Sequence, residues 1–201
     1  MRRQKLMAVL IGVVAGLGAV ALRWLISVFH NLAFLGTLSG DYNANIPTPP
    51  SPFGAWVILV PVVGGLIVVW LVKTFAPEAK GHGVPEVLDA IYYQRGVMRP
   101  VVVVIKAVAS ALSIGTGASV GREGPIIQIG SAMGSVLGQL FHLRSWQVIT
   151  LVGAGAGAGI AATFNTPLGG VLFAVELMLP EVTARTLLPL VLATGTATYV
   201  G

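Results

Sequence analysis

The chain has no cysteine, which excludes disulfide bridges, thiolate nucleophiles and cysteine-held metals. Charge is nearly as scarce. Only 9% of the 201 residues are Asp, Glu, Lys or Arg, where a soluble domain averages about a quarter. Leu6–Leu22, Phe53–Val72, Gly124–Phe141 and Ser145–Val175 carry none of the four. No Ser/His/Asp set and no Walker loop can be traced, so no enzyme and no catalytic residue are expected. His30 and His142 stand far apart and away from any carboxylate pair, so neither a metal nor a cofactor is expected. Gly153-x-Gly155-x-x-Ala158 spells a dinucleotide fingerprint, yet no strand precedes it and no acid follows at about twenty residues. With Gly157 and Gly159, these glycines read instead as a small-residue face for close helix packing.

What is present is apolar. Hydrophobic residues make up 55% of the chain, and the mean hydropathy is +0.88. A helix needs roughly 20 apolar residues to cross a bilayer's hydrocarbon core, and several uncharged runs have that length. A transmembrane barrel would show alternating segments of about ten residues instead. The class is an all-α, multi-pass integral membrane protein, a single transmembrane domain over residues 1–201 with no soluble domain.

The net charge of +5 requires no nucleic acid. Arg2, Arg3, Lys5, Lys73, Lys80, Arg95 and Arg99 flank the ends of apolar segments. The positive-inside rule then puts the N-terminus in the cytoplasm of a bacterial-type plasma membrane and returns the second segment near Lys73. The polar stretch Ser39–Ser51, with Asp41 and no Lys or Arg, falls outside. The opening "MRRQKLMAVLIGVVAGLGAVALRW" is too long in its apolar part for a signal h-region of about 7–15 residues, so it reads as a retained first helix.

Along the chain, helices are expected over about 5–35 (long enough to tilt), 53–75, 100–117, 124–140 and 183–200. A partial helix is expected over 84–93, which is too short to span. The run 145–175 should split at Asn165-Thr166-Pro167. The last segment reaches Gly201 while still apolar, an ending that suggests further sequence. No internal repeat is evident.

Several helices start with turn formers: Gly81-His82-Gly83-Val84-Pro85, Gly121-Arg122-Glu123-Gly124-Pro125 and Phe164-Asn165-Thr166-Pro167. Proline suits a first helical turn, and glycine lets a ligand approach the backbone. Free N–H groups and the positive helix end then make an anion site, which transporters aim at the membrane midplane. Glu123 sharpens this reading, because an intramembrane carboxylate marks a functional site. At an anion-binding helix start it would compete with the anion, and protonation would let it swing aside. Arg122 and Glu123 are adjacent and do not face each other on a helix, so Glu86 is the expected partner of Arg122.

These residues resemble the family of chloride channels and chloride/proton antiporters (CLC). "GREGP" with "IQIG", "GHGVPE" and "GAGAGIAATFNTPLGGVLFAVE" follow that family's order and cover nearly the whole chain. The resemblance implies a CLC-type fold, the first of two inverted repeats with tilted and re-entrant helices, here the N-terminal half of a voltage-gated chloride channel-type domain. It implies a homodimer in membrane lipid, with one anion pathway per subunit and chloride or another small anion as the transported ligand. Glu123 would gate the path and accept the proton. Arg122, Glu123 and Gly124 would line one anion site and His82 and Gly83 another, supported by Pro85, Glu86, Arg122 and Pro125. Departures from the family are equally specific. His82 stands where Ser, or Pro in plant nitrate-type members, is usual, and its imidazole would either donate an N–H or turn away. Leu177 stands where many exchangers carry a second, proton-relaying Glu, which leaves channel and exchanger both open. The family's second half is missing, so the chain reads as a fragment, or as a half-size protein that assembles its pore from two chains. A non-conducting fragment or membrane assembly subunit is the alternative function.

Overall fold

The computed structural model describes residues 2–42 and 48–201, with side chains from Gln4 onward. Residues 43–47 of the polar stretch, and the side chains of Arg2 and Arg3, lie outside the described residues. The chain begins with helix α1, Arg2–Leu35. Its 34 residues make about 50 Å of helix, well beyond a hydrocarbon core of about 30 Å. A 3₁₀ turn, Gly54–Leu59, runs into α2, Val60–Phe75, with Pro61 in its first turn. Then come α3, Val84–Tyr92, and α4, Val101–Gly115. Helices α5, Glu123–Leu140, and α6, Ser145–Phe164, follow as an antiparallel pair. Helix α7, Pro167–Phe173, continues into a π turn, Ala174–Met178, and α8 is Ala184–Val200.

The expected elements are found, and the exceptions have local causes. The apolar run 145–175 breaks where Asn165 turns left-handed (φ 54°) and Pro167, lacking an N–H, starts a new helix. The expected second helix begins as a 3₁₀ turn and becomes α-helical only at Val60. Three segments, Gln4–Leu35, Gly54–Phe75 and Ser145–Phe164, are long and apolar enough to cross a membrane.

Helix α6 is the centre of the molecule. Thr150 to Gly159 are all buried, so the glycine-rich stretch forms the packing face expected of it. A methyl group on Gly155 would overlap the carbonyl oxygen of Gly130 on α5, and one on Gly130 would overlap that of Gly155. On the next turn a Cβ at Gly157 would lie 2.6 Å from the carbonyl oxygen of Gly170 on α7. Main chain therefore meets main chain, as small residues permit in a bilayer. Helices α1 and α8 close in the same way, with Gly12 against Ala193.

Buried hydroxyls and amides complete the frame. Ser135 on α5 donates to the Gly96 carbonyl (2.6 Å) and accepts from the Met98 amide (2.8 Å), clamping the connection that leads into α4. Gln139 reaches the Met98 carbonyl at 2.9 Å. Helix α2 packs on α4, with Gly64 against Thr116 of the segment after α4 as its single buried residue. Its remaining apolar face suits lipid.

Candidate anion-binding site

Two helix starts meet inside this frame. Residues 81–83 form the turn that leads into α3, and Gly83 takes φ +106°, a backbone shape that L side chains rarely adopt. Helix α5 starts at Glu123 after Arg122. A Cβ at Gly83 would lie 2.8 Å from the Gly124 carbonyl oxygen. One at Gly124 would overlap the His82 carbonyl oxygen and sit 2.9 Å from its Nδ1. No side chain larger than hydrogen fits at either position, so the starts of α3 and α5 are held against each other by backbone. Pro85 and Pro125 lie in the first turns of these helices, as expected for residues that lack an N–H.

Glu123 folds back over its own helix start, with its carboxylate against Gly121. It is exposed, as are His82 and Gly121. Beside them lies a cavity of about 590 Å³ bounded by Lys73, Lys80, His82, Lys106, Gly121 and Pro125, with no carboxylate in its wall. Three lysines, an imidazole and a helix start make this space electropositive. Such a setting draws an anion and also the Glu123 carboxylate.

Lys106 is the buried charge beside the candidate site that sequence reasoning passed over. It lies in the middle of α4, is 3% exposed, and donates from Nζ to the carbonyls of Ala79 (3.0 Å) and Gly81 (2.8 Å). It thus fixes the turn that carries His82. The signal was available, because a lone Lys in the apolar run Val101–Ile114 is as costly as Glu123 and deserves the same reading. Gln128, fully buried on α5, donates to the Glu78 carbonyl at 2.9 Å, in the 3₁₀ turn Pro77–Ala79 that precedes the His82 turn.

One expected contact is absent. Arg122 does not pair with Glu86, and the single ion pair among the described residues is Arg99–Glu78, at 2.9 Å. The Arg122 guanidinium lies over the ring of Phe164, the last residue of α6, 5.7 Å from its centroid. Glu86 turns to the first motif instead: a Cβ at Gly81 would lie 2.9 Å from its Oε1. The third helix start meets the second through Phe164, while its turn faces outward. Asn165, Thr166 and Pro167 are exposed, and α7 packs on α6 and α8.

Short and broken helices whose starts face one another inside an apolar bundle define an integral membrane domain of the discontinuous-helix kind, the design in which transporters hold ions. The chain belongs to the voltage-gated chloride channel family, whose model matches residues 64–201. It is 37% identical over 177 residues to the H(+)/Cl(-) exchange transporter ClcA of Citrobacter koseri, covering 88% of this chain and 36% of that protein. The ClcA of Salmonella arizonae is 34% identical over 179 residues. Among solved structures, a slow cyanobacterial Cl-/H+ antiporter superposes with a TM-score of 0.74 at 31% identity, over 98% of this chain and 46% of that one. A CLC-type fluoride/proton antiporter shares the fold, with a TM-score of 0.78 at 22% identity. The chain therefore spans between a third and a half of the length of the relatives it matches.

Proposed function

We propose that this chain forms one wall of an anion pathway, selective for chloride or a similar small anion and gated by Glu123. The observation that carries the reading is the backbone-locked meeting of two helix starts with a carboxylate folded over one of them. An anion and the Glu123 carboxylate seek the same electropositive place, so they exclude each other. A proton on Glu123 removes its charge and its claim on that place, and the anion enters. The proton and the anion then move in linked steps. Similarity to proteins named H(+)/Cl(-) exchange transporters favours coupled exchange over a simple channel. Leu177 cannot titrate, so the inner proton step falls to another acid or to water.

The exposure of His82, Gly121 and Glu123 leaves the site open on one side. The opposite wall comes from further helices, in keeping with relatives two to three times as long, and the assembly is a homodimer with one pathway per subunit. Chloride efflux and chloride-driven proton uptake in liposomes test the reading. With Glu123 intact, a chloride gradient drives protons uphill. In Glu123→Ala, proton uptake is lost and chloride flux no longer depends on acid. Proton uptake that survives Glu123→Ala would refute the gate.

A further inference from the structure

Helices α1, α6 and α8 all begin at one end of the molecule, away from the anion site. Between their first turns lies a cavity of about 350 Å³ whose wall includes Gln4, Lys5, Trp146, Gln147, Arg185 and Leu188. Three helix starts bring three partial positive charges to it. Gln4 is only 9% exposed, and its Nε2 has no hydrogen-bond partner. A buried amide left unpaired is costly, so this donor lacks an acceptor at the cavity it lines. Gln147 accepts the Arg144 backbone N–H on its Oε1 (3.1 Å), which leaves its amide NH₂ free to donate. Lys5 and Arg185 are exposed, and neither belongs to the single ion pair among the described residues.

Among the described residues, the charged groups in this wall are cations, and both amides offer it NH₂ donors. What it fits is an anion with several acceptor oxygens. The remaining walls decide which anion. Trp146 and Leu188 are each 43% exposed, and α6 begins its span at Ser145. The cavity therefore sits at the boundary between water and hydrocarbon, where headgroup phosphates lie and where Trp is at home, and an apolar helix face runs away from it. We propose that this cavity binds the headgroup of an anionic phospholipid. The phosphate accepts from Gln4, Gln147, Lys5 and Arg185, Trp146 lies beside the glycerol level, and an acyl chain follows α8 past Leu188.

Native mass spectrometry of the purified chain in mixed phosphatidylglycerol and phosphatidylcholine tests this. The chain keeps phosphatidylglycerol preferentially, and each of Lys5→Gln and Arg185→Gln weakens retention about fivefold, as about 1 kcal/mol per basic residue at an anionic headgroup implies. Gln4→Glu, which sets a carboxylate against the phosphate, weakens it further. Arg23→Gln, further along α1 and in the wall of neither cavity, changes nothing. A thermal melt of the unaltered chain supplies a readout independent of any variant's folding, with phosphatidylglycerol raising the midpoint above that in phosphatidylcholine. Equal retention of the two lipids, equal melting in both, an equal loss in Arg23→Gln, or displacement by free glycerol 3-phosphate at the lipid's own concentration each overturns the proposal.

Discussion

Lys106 shows how a single buried charge can organise a turn. Its ammonium is taken out of water by burial and given back two carbonyl oxygens, those of Ala79 and Gly81. Those carbonyls lose their partner if the ammonium goes, and hydrogen bonds to a charged group are worth about 1.5–3 kcal/mol. Lys106→Met, which keeps the volume and removes the donor, therefore lowers unfolding stability by about 2 kcal/mol. It also loosens the His82 turn and weakens anion binding. Thermal unfolding in detergent and chloride calorimetry check the two effects separately; unchanged chloride affinity would confine Lys106 to folding. Arg122 teaches a different lesson at the same scale. Counting charges suggested Glu86 as its mate, whereas the guanidinium found an aromatic face, that of Phe164. An aromatic partner leaves no mark in a count of opposite charges, so sequence reasoning had no means of finding it.

At the scale of elements, the spans, the short α3 and the break at Asn165 were legible because apolar length and proline chemistry act locally. The close packing of α6 was legible too, since alternating glycines in a long apolar run have little other use. Which glycines touch which was not, because a partner's identity depends on how helices cross. The meeting of Gly83 with Gly124 joins residues far apart in sequence, and the mutual docking of the two motifs is a product of the whole bundle. The structure turns this into a graded expectation. Gly155→Val drives a side chain into the Gly130 carbonyl and costs at least the ~1–3 kcal/mol typical of overpacking. At Gly195, also within a helix, an added Cβ meets nothing within 4 Å. Gly195→Ala is therefore neutral or stabilising, by up to about 1 kcal/mol from helix propensity. Comparing the two melting midpoints against the unaltered chain checks both at once, and equal shifts would mean that the α5–α6 contact is not what holds the pair together.

For the whole molecule, the distribution of basic residues makes a claim about sidedness. Asp41 lies in the polar stretch after α1, and Lys73 in the last turn of α2. The positive-inside rule sets them on opposite faces. The natural lack of cysteine makes this simple to examine, because any introduced thiol is unique. In sealed right-side-out vesicles, a membrane-impermeant maleimide modifies Asp41→Cys at once and Lys73→Cys only after permeabilisation. The reverse order would invert the orientation and place the anionic-lipid cavity on the outer surface. Completeness is also a property of this scale. The half-open site, with His82 and Glu123 exposed, could not be read from the residues one at a time, because exposure follows from what the rest of the fold leaves uncovered.

The glycine contact between the two helix starts has a consequence for how such a protein changes over time. Because Gly83 and Gly124 dock through main-chain atoms, the frame does not depend on the identity of the residue between Gly81 and Gly83. The imidazole of His82 can be exchanged for a hydroxyl or a ring without moving either helix. On the proposed reading, architecture and preference are set separately: glycine and proline carry the first, and the side chain at 82 carries the second. Such a division lets a lineage try new ions without first relearning how to fold.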